Sequence, residues 1–182
     1  NKIFIKLGNK SIIQWTLSNI EQVKAVSEVI LVVADGEADY MKQHIASLGL
    51  SKSIKIITGG KERQDSVYAG LQAVSDDMDI VLVHDGARPL AKPELFKSVI
   101  EGAKTHGAVT IGVPSTDTIK RVDIDGQVLE TLNRNELMNI QTPQGFLKDI
   151  FKEAQETAKR DAYLGTDDVS LVEYIGKDVY IL

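Results

Sequence analysis

Short runs of apolar, largely β-branched residues alternate along the chain with segments whose apolar positions recur at helical spacing. The strand-like runs are "EVILVV" (Glu28 to Val33), "KIIT" (Lys55 to Thr58), "DIVLVH" (Asp79 to His84), "AVTIGV" (Ala108 to Val113) and "DVYIL" (Asp178 to Leu182). They are nearly continuously apolar, so both faces of their sheet should be covered. Between them lie helix patterns. In "SIIQWTLSNIEQV" Ile12, Ile13, Leu17 and Ile20 share one face, "DYMKQHIASLG" stops at Gly49, and "ELFKSVIEGAKTHG" follows Pro93 and ends at His106 and Gly107. This order predicts an α/β fold, a mostly parallel sheet flanked by helices.

One segment breaks the rhythm. "TDTIKRVDIDGQVLETL", Thr116 to Leu132, holds Asp125-Gly126 between alternating residues and predicts a β-hairpin. Its flanks are polar and it interrupts the α/β order, so it is expected to project as an arm over about residues 115–140 and to serve a dimer partner or an active site. With no repeat or linker in view, residues 1–182 are expected to form one domain.

Bulk properties narrow the chemistry. A chain of 182 residues can bury about 70% of its unfolded surface without a covalent staple. It has no cysteine, which excludes disulfides, thiolate metal sites and a cysteine nucleophile. A net charge of −5 argues against nucleic acid as the main partner, although a local basic cluster can still grip a small anion. No apolar run approaches the ~20 residues of a membrane span, and no signal-peptide core opens the chain. A soluble, cytoplasmic protein is expected.

Four clusters could carry chemistry. "DIVLVHDGARPL" runs from an apolar strand straight into Asp85 and Arg88, and ligands of open parallel sheets bind at the carboxyl ends of strands. Asp85 can hold an alcohol or a metal, and Arg88 can take a phosphate in bidentate fashion; the alternative is a turn closed by its own ion pair. In "TGGKERQDSVYAGL", Gly59 and Gly60 let backbone amides approach a ligand, a helix starts near Gln64 or Asp65, and Lys61, Arg63 and Ser66 add charge and a hydroxyl. Asp65 or Ser66 could equally be a helix cap. The third set is Thr118, Lys120 and Arg121, then Arg134 between two asparagines, then Thr142 before Pro143, where an extended edge residue is the plain alternative. The last is Thr166, Asp167 and Asp168, whose default role is to cap a helix.

Taken in order, "LGNKSIIQWTL", "GGKERQDSVYAGL", "LVHDGARP", "STDTIKR", "LNRNELMNIQTPQGF" and "TDDVSLVEY" resemble the 2-C-methyl-D-erythritol 4-phosphate cytidylyltransferases of non-mevalonate isoprenoid biosynthesis. The resemblance implies a nucleotide-diphospho-sugar-transferase-like fold, transfer of a cytidylyl group from CTP to methylerythritol phosphate with Mg²⁺, and a homodimer clasped by the arm. It implies that Gly60, Lys61 and Ser66 contact cytosine, that Asp85 and Arg88 hold the sugar-alcohol phosphate, that Thr118 and Arg134 contribute across the dimer, and that Thr142 adds a further contact. Lys2 aligns with the lysine that closes the nucleotide loop over the reacting phosphorus, and Asp85 is the candidate metal ligand.

The family also has a glycine-rich stretch with a triphosphate-gripping arginine ahead of the position of Asn1, and an aspartate and a lysine beyond the last strand. The sequence is therefore expected to be a segment of a longer enzyme. Two other readings stay open: a ribitol-5-phosphate cytidylyltransferase, and a non-catalytic nucleotide-binding dimeric module.

Overall fold

The computed structural model describes residues 1–182. A short antiparallel pair, β1 (Lys6–Leu7) and β2 (Lys10–Ser11), leads into α1 (Ile12–Glu21), whose cap is Ser11 accepting from Gln14 N. Two parallel strands follow, β3 (Glu28–Val33) and β4 (Ser53–Thr58), with α2 (Ala38–Ile45) between them. Next come α3 (Arg63–Gln72), β5 (Ile80–Val83) and α4 (Pro93–His106). Strand β6 (Ala108–Pro114) precedes a hairpin of β7 (Lys120–Val122) and β8 (Val128–Thr131), then β9 (Met138–Leu147). The chain closes with α5 (Lys148–Arg160), α6 (Asp168–Tyr174) and β10 (Tyr180–Ile181).

All five expected strands form, and the α/β class holds. The sheet is mostly parallel, as expected, and one further strand that the sequence pattern did not predict runs against the others. The larger sheet has the order β10-β6-β9-β5, and β9 runs antiparallel to both β6 and β5. Pro143 and Gly145 lie within β9, which is why its sequence lacks a strand signature. Gly145 is required by packing: a Cβ there would lie 2.5 Å from Val99 Cγ1 and 3.1 Å from the Val99 carbonyl of α4.

Helices cover both faces, as the apolar runs demand. On one side Phe146 and Phe151 stack at 4.1 Å within a cluster that includes Leu71, Ala154, Leu171 and Val172. On the other, Val99 and Ala103 of α4 meet Val109 and Ile111 of β6. The β3–β4 pair has its own core, in which Ile13 and Leu17 of α1 meet Val33, Met41 and Ile45. Helix α1 bridges the two sheets, since Thr16 Oγ1 also donates to the Gly86 carbonyl at 3.0 Å.

The expected hairpin forms with every strand residue exposed. Its turn is longer than two residues. Asp123 and Gln127 close it, Gly126 takes φ +85°, and a bulge separates Arg121 from Val122. Lys120 bonds Thr131 and Arg121 pairs with Glu130, so both charges serve the hairpin itself.

Candidate functional site

Strand β5 ends at Val83, and the next residues turn sharply under α1 and α4. Arg88 N donates to the Asp85 carbonyl at 3.2 Å, and Arg88 Nε donates to Asp85 Oδ2 at 2.9 Å. This ion pair is about one-third exposed on each side chain, 34% for Arg88 and 41% for Asp85. Such a pair contributes little to stability and can be re-partnered by a ligand at small cost. The guanidinium is held from a second side by Gln141 Oε1 at 3.2 Å.

Residue 142 enters this group through a bulge. Val109 faces Gly145 and Ile111 faces Gln141, so Thr142, Pro143 and Gln144 together oppose Thr110. Pro143 has no N–H to lose from the ladder, and the distortion brings Thr142 to the end of β5. Thr142 Oγ1 accepts from Asp85 N–H at 3.1 Å and lies 3.1 Å from His84 Nδ1. Thr142 is thus an interior strand residue, 7% exposed, and not the edge residue that its proline neighbour suggested. Burial holds the His84 pKa down at about 4, against smaller opposing effects from Asp85, and the ring packs edge-on against Phe96 at 4.8 Å.

The glycine loop after β4 is closed by its own helix. Ser66 Oγ accepts from Gly60 N at 3.1 Å and donates to the Glu62 carbonyl, while Asp65 accepts from Glu62 N. Helix α3 begins at Arg63, slightly earlier than expected. A Cβ on Gly59 would sit 2.5 Å from Ser66 Oγ, and one on Gly60 would collide with Asp65, so both glycines are needed for this tight return. Lys61 is exposed beside them.

Arg63, expected only as a charge in the glycine loop, joins this loop to the start of α6. Its Nη2 lies 2.6 Å from Asp168 Oδ2, and Asp168 is 1% exposed. Burial pushes the Asp168 carboxyl above the ordinary range, and Arg63 pulls it part of the way back. Gln64 adds bonds to Tyr163 O and Gly165 N, and Gln144 donates to Asp167 Oδ2 at 2.9 Å. Asp167 also caps α6 through Ser170 N, as expected. A hollow of about 130 Å³ opens between Arg63, Thr166 and Asp168. Asp85 acts electrostatically on both Arg63 and Asp168, although neither it nor Arg88 lines that hollow. The signal for Arg63 was a cation inside the glycine loop with a pair of acids elsewhere, but nothing in the sequence joins positions 63 and 168.

Three predicted residues stand apart. Thr118 and Arg134 are exposed on the hairpin side and share no hydrogen bond or ion pair with Asp85, Arg88 or Thr142. Lys2 is exposed in a short 3₁₀ turn, beside Asn1, which reaches Glu37 just beyond β3. No group of three or more histidines or carboxylates gathers anywhere, and Asp85 belongs to no such cluster.

Residues 1–182 match the sequence family described as 2-C-methyl-D-erythritol 4-phosphate cytidylyltransferase, IspD. The chain belongs to this family. The IspD relative from Pelotomaculum thermopropionicum is 43% identical over 182 residues, covering 100% of this chain and 76% of its own length. That from Halalkalibacterium halodurans is 45% identical over 183 residues, covering 100% and 79%. The crystal structure of the Anaerococcus prevotii 4-diphosphocytidyl-2C-methyl-D-erythritol synthase superposes with a TM-score of 0.93 at 32% identity, over 99% of this chain and 82% of that one. The Thermus thermophilus IspD gives 0.82 at 30% identity, over 100% and 82%. The α/β layout described above is thus the IspD fold.

Proposed function

We propose that this chain transfers a cytidylyl group from CTP to 2-C-methyl-D-erythritol 4-phosphate and releases pyrophosphate. The observation that carries the reading is the joining of Asp85, Arg88 and Thr142 into one hydrogen-bonded group at the end of β5, although Asp85 and Thr142 lie 57 residues apart in sequence. Membership of the IspD family supplies the reaction class. In-line displacement at phosphorus needs positioning and charge neutralisation more than a nucleophilic side chain. Arg88 is assigned to the attacking phosphate and Asp85 to the polyol hydroxyls. Gly59, Gly60, Lys61 and Ser66 are assigned to the cytosine. Lys2 is assigned to the charge that develops on the reacting phosphate.

Mg²⁺ belongs to the same proposal, and the donors present do not build a site for it. Asp85 Oδ2 is taken by Arg88, and no group of three or more histidines or carboxylates gathers around it. The ion is therefore assigned to the phosphates of CTP, and no step is derived through it. A cytoplasmic setting is part of the same reading; no helix is long and apolar enough to cross a membrane.

The homodimer is also proposed. Val122, Ile124, Val128 and Leu129 of the hairpin are each about half exposed or more, and Val113, Met138 and Ile140 extend the apolar surface beside it. Arg134 has no intrachain carboxylate partner and is assigned to a neighbouring subunit's acceptor phosphate. Deleting residues 117–132 should give monomers in sedimentation; a dimer that survives removes the arm from the assembly.

Pyrophosphate release by the full-length protein with CTP and Mg²⁺ tests the function. Turnover with methylerythritol phosphate alone supports it, turnover with ribitol phosphate transfers the chain to a teichoic-acid type pathway, and no release with either leaves only a binding module.

A further inference from the structure

We propose that Thr16 and Asn19 of α1 are positioning residues, which fix the backbone of the Asp85–Arg88 turn so that it keeps its shape when its own ion pair opens for the acceptor phosphate. The inference rests on the acceptor assignment above only in naming the ligand; the hold of α1 on the turn belongs to the protein alone.

Within the turn, Arg88 N donates to the Asp85 carbonyl and Arg88 Nε donates to Asp85 Oδ2. A ligand that takes both side chains displaces the second of these contacts, a partly exposed pair that is weak enough to yield. The carbonyls of Gly86 and Pro89 lie on either side of Ala87 and Arg88, and neither accepts a backbone N–H. Both are held from α1. Thr16 Oγ1 donates to Gly86 O at 3.0 Å and Asn19 Nδ2 donates to Pro89 O at 2.9 Å, each across 70 residues of sequence. Thr142 of β9 holds the same turn through the Asp85 N–H. Three points of attachment therefore remain when the ion pair opens.

Thr16 is a polar residue where packing alone would favour an apolar one. It is 2% exposed, on a helix whose Ile13 and Leu17 belong to the β3–β4 core, and valine would fill nearly the same space without burying a hydroxyl. The hydroxyl has one proton to give. It also lies 3.2 Å from the Ile12 carbonyl, but that carbonyl is the helical acceptor of the Thr16 N–H, so the distinct use of the proton is Gly86. Ile13, Thr16 and Asn19 are successive i+3 positions and hence neighbours along one side of α1. A Cβ on Gly86 would lie 3.1 Å from Ile13 Cδ1, so the turn already rests closely on that side. Contact with Ile13 sets the approach of the turn, and the two side-chain donors set the orientation of its peptide planes. A site whose backbone is fixed before the ligand arrives avoids an ordering cost on binding.

Residues 1–182 contain five arginines, so ¹⁵N-arginine labelling of the full-length protein gives a readable set of Nε–H signals, and that of Arg88 is identified by its loss in Arg88→Lys. Thr16→Val removes the hydroxyl at nearly constant shape. Asn19→Ala removes the amide from a half-buried position and carries the test if Thr16→Val is too unstable to assay. Without ligand, each substitution should move the Arg88 signal and leave those of Arg121 and Arg160 in place; an Arg88 signal that stays put in both overturns the proposal whatever the enzyme's substrate. Kinetics supply the second readout. Each substitution should raise the KM for the acceptor phosphate on the order of tenfold with the KM for CTP unchanged, while Thr16→Ser, which keeps the donor, should stay close to wild type. Equal rises for both substrates, or a Thr16→Ser variant as impaired as Thr16→Val, overturn the positioning role and leave a packing role only. A moved Arg88 signal in a protein that turns over neither methylerythritol phosphate nor ribitol phosphate would sink the acceptor reading and support the hold of α1 on the turn.

Discussion

Replacing Arg63 by methionine removes the cation from a carboxylate that water barely reaches. The two side chains are 47% and 1% exposed, so removal of Arg63 leaves Asp168 buried with its charge uncompensated. Breaking a buried pair from one side costs about 3–5 kcal/mol. Asp168 has an escape, which sets a ceiling: it can take up a proton, at a cost of about 4 kcal/mol at pH 7 for a group with the ordinary aspartate pKa. The Arg63→Met variant should therefore lose about 2–4 kcal/mol at pH 7, measured by urea unfolding. At pH 5 the ceiling falls to about 2 kcal/mol, because protonation is cheaper there.

The sign follows from linkage. Burial raises the folded-state pKa of Asp168, and loss of Arg63 raises it further. The variant's stability relative to wild type is therefore highest below the unfolded pKa near 4 and falls as pH rises through the folded value. Adding Asp168→Asn should restore part of the loss, since a neutral amide needs no cation. A deficit below about 0.5 kcal/mol at pH 7, or one that does not shrink between pH 7 and pH 5, refutes the reasoning.

Other outcomes are as definite. Gly145→Ala forces a methyl against Val99 and Leu82 and should cost about 1–3 kcal/mol by urea unfolding; a neutral result contradicts the close approach of α4 to β9. His84, held neutral with a pKa of about 4, should cost stability as pH falls from about 6.5 to about 4, because the unfolded chain takes up the proton first. Its full effect is about 3 kcal/mol, read as the difference between the unfolding curves of wild type and His84→Asn, and parallel pH profiles would rule it out. Arg134→Ala should raise the KM for the acceptor phosphate about tenfold or more with little effect on CTP; equal losses for both substrates would remove its assignment to the acceptor.

Much of the fold is written locally. Helix α1 carries its own cap in Ser11, α4 its own start in Pro93, and the apolar runs at residues 28–33 and 108–113 form strands β3 and β6 as their pattern predicts. The hairpin is legible for the same reason, since Gly126 supplies the positive φ that its turn needs. Asp85 and Arg88 are three residues apart, so their pairing is a property of one turn.

What lay beyond the sequence depends on contacts between distant segments. Strand β9 has no strong propensity of its own; it is extended because β5 and β6 both offer it unpaired backbone groups, and its proline and glycine are tolerated where a bulge and a helix contact call for them. Thr142 becomes a site residue only through that bulge. Arg63 and Asp168 each look like ordinary first-turn charges on separate helices, and only the packing of α3 against the segment leading into α6 buries one and sets the other over it. The sequence by itself determined the α/β order, the hairpin and the Asp85–Arg88 turn, because short-range sterics and periodic apolarity act within a few residues. The tertiary structure alone decided the antiparallel strand, the setting of Thr142 and His84 and the buried Arg63–Asp168 pair, because burial and hydrogen-bond partners are properties of neighbours in space.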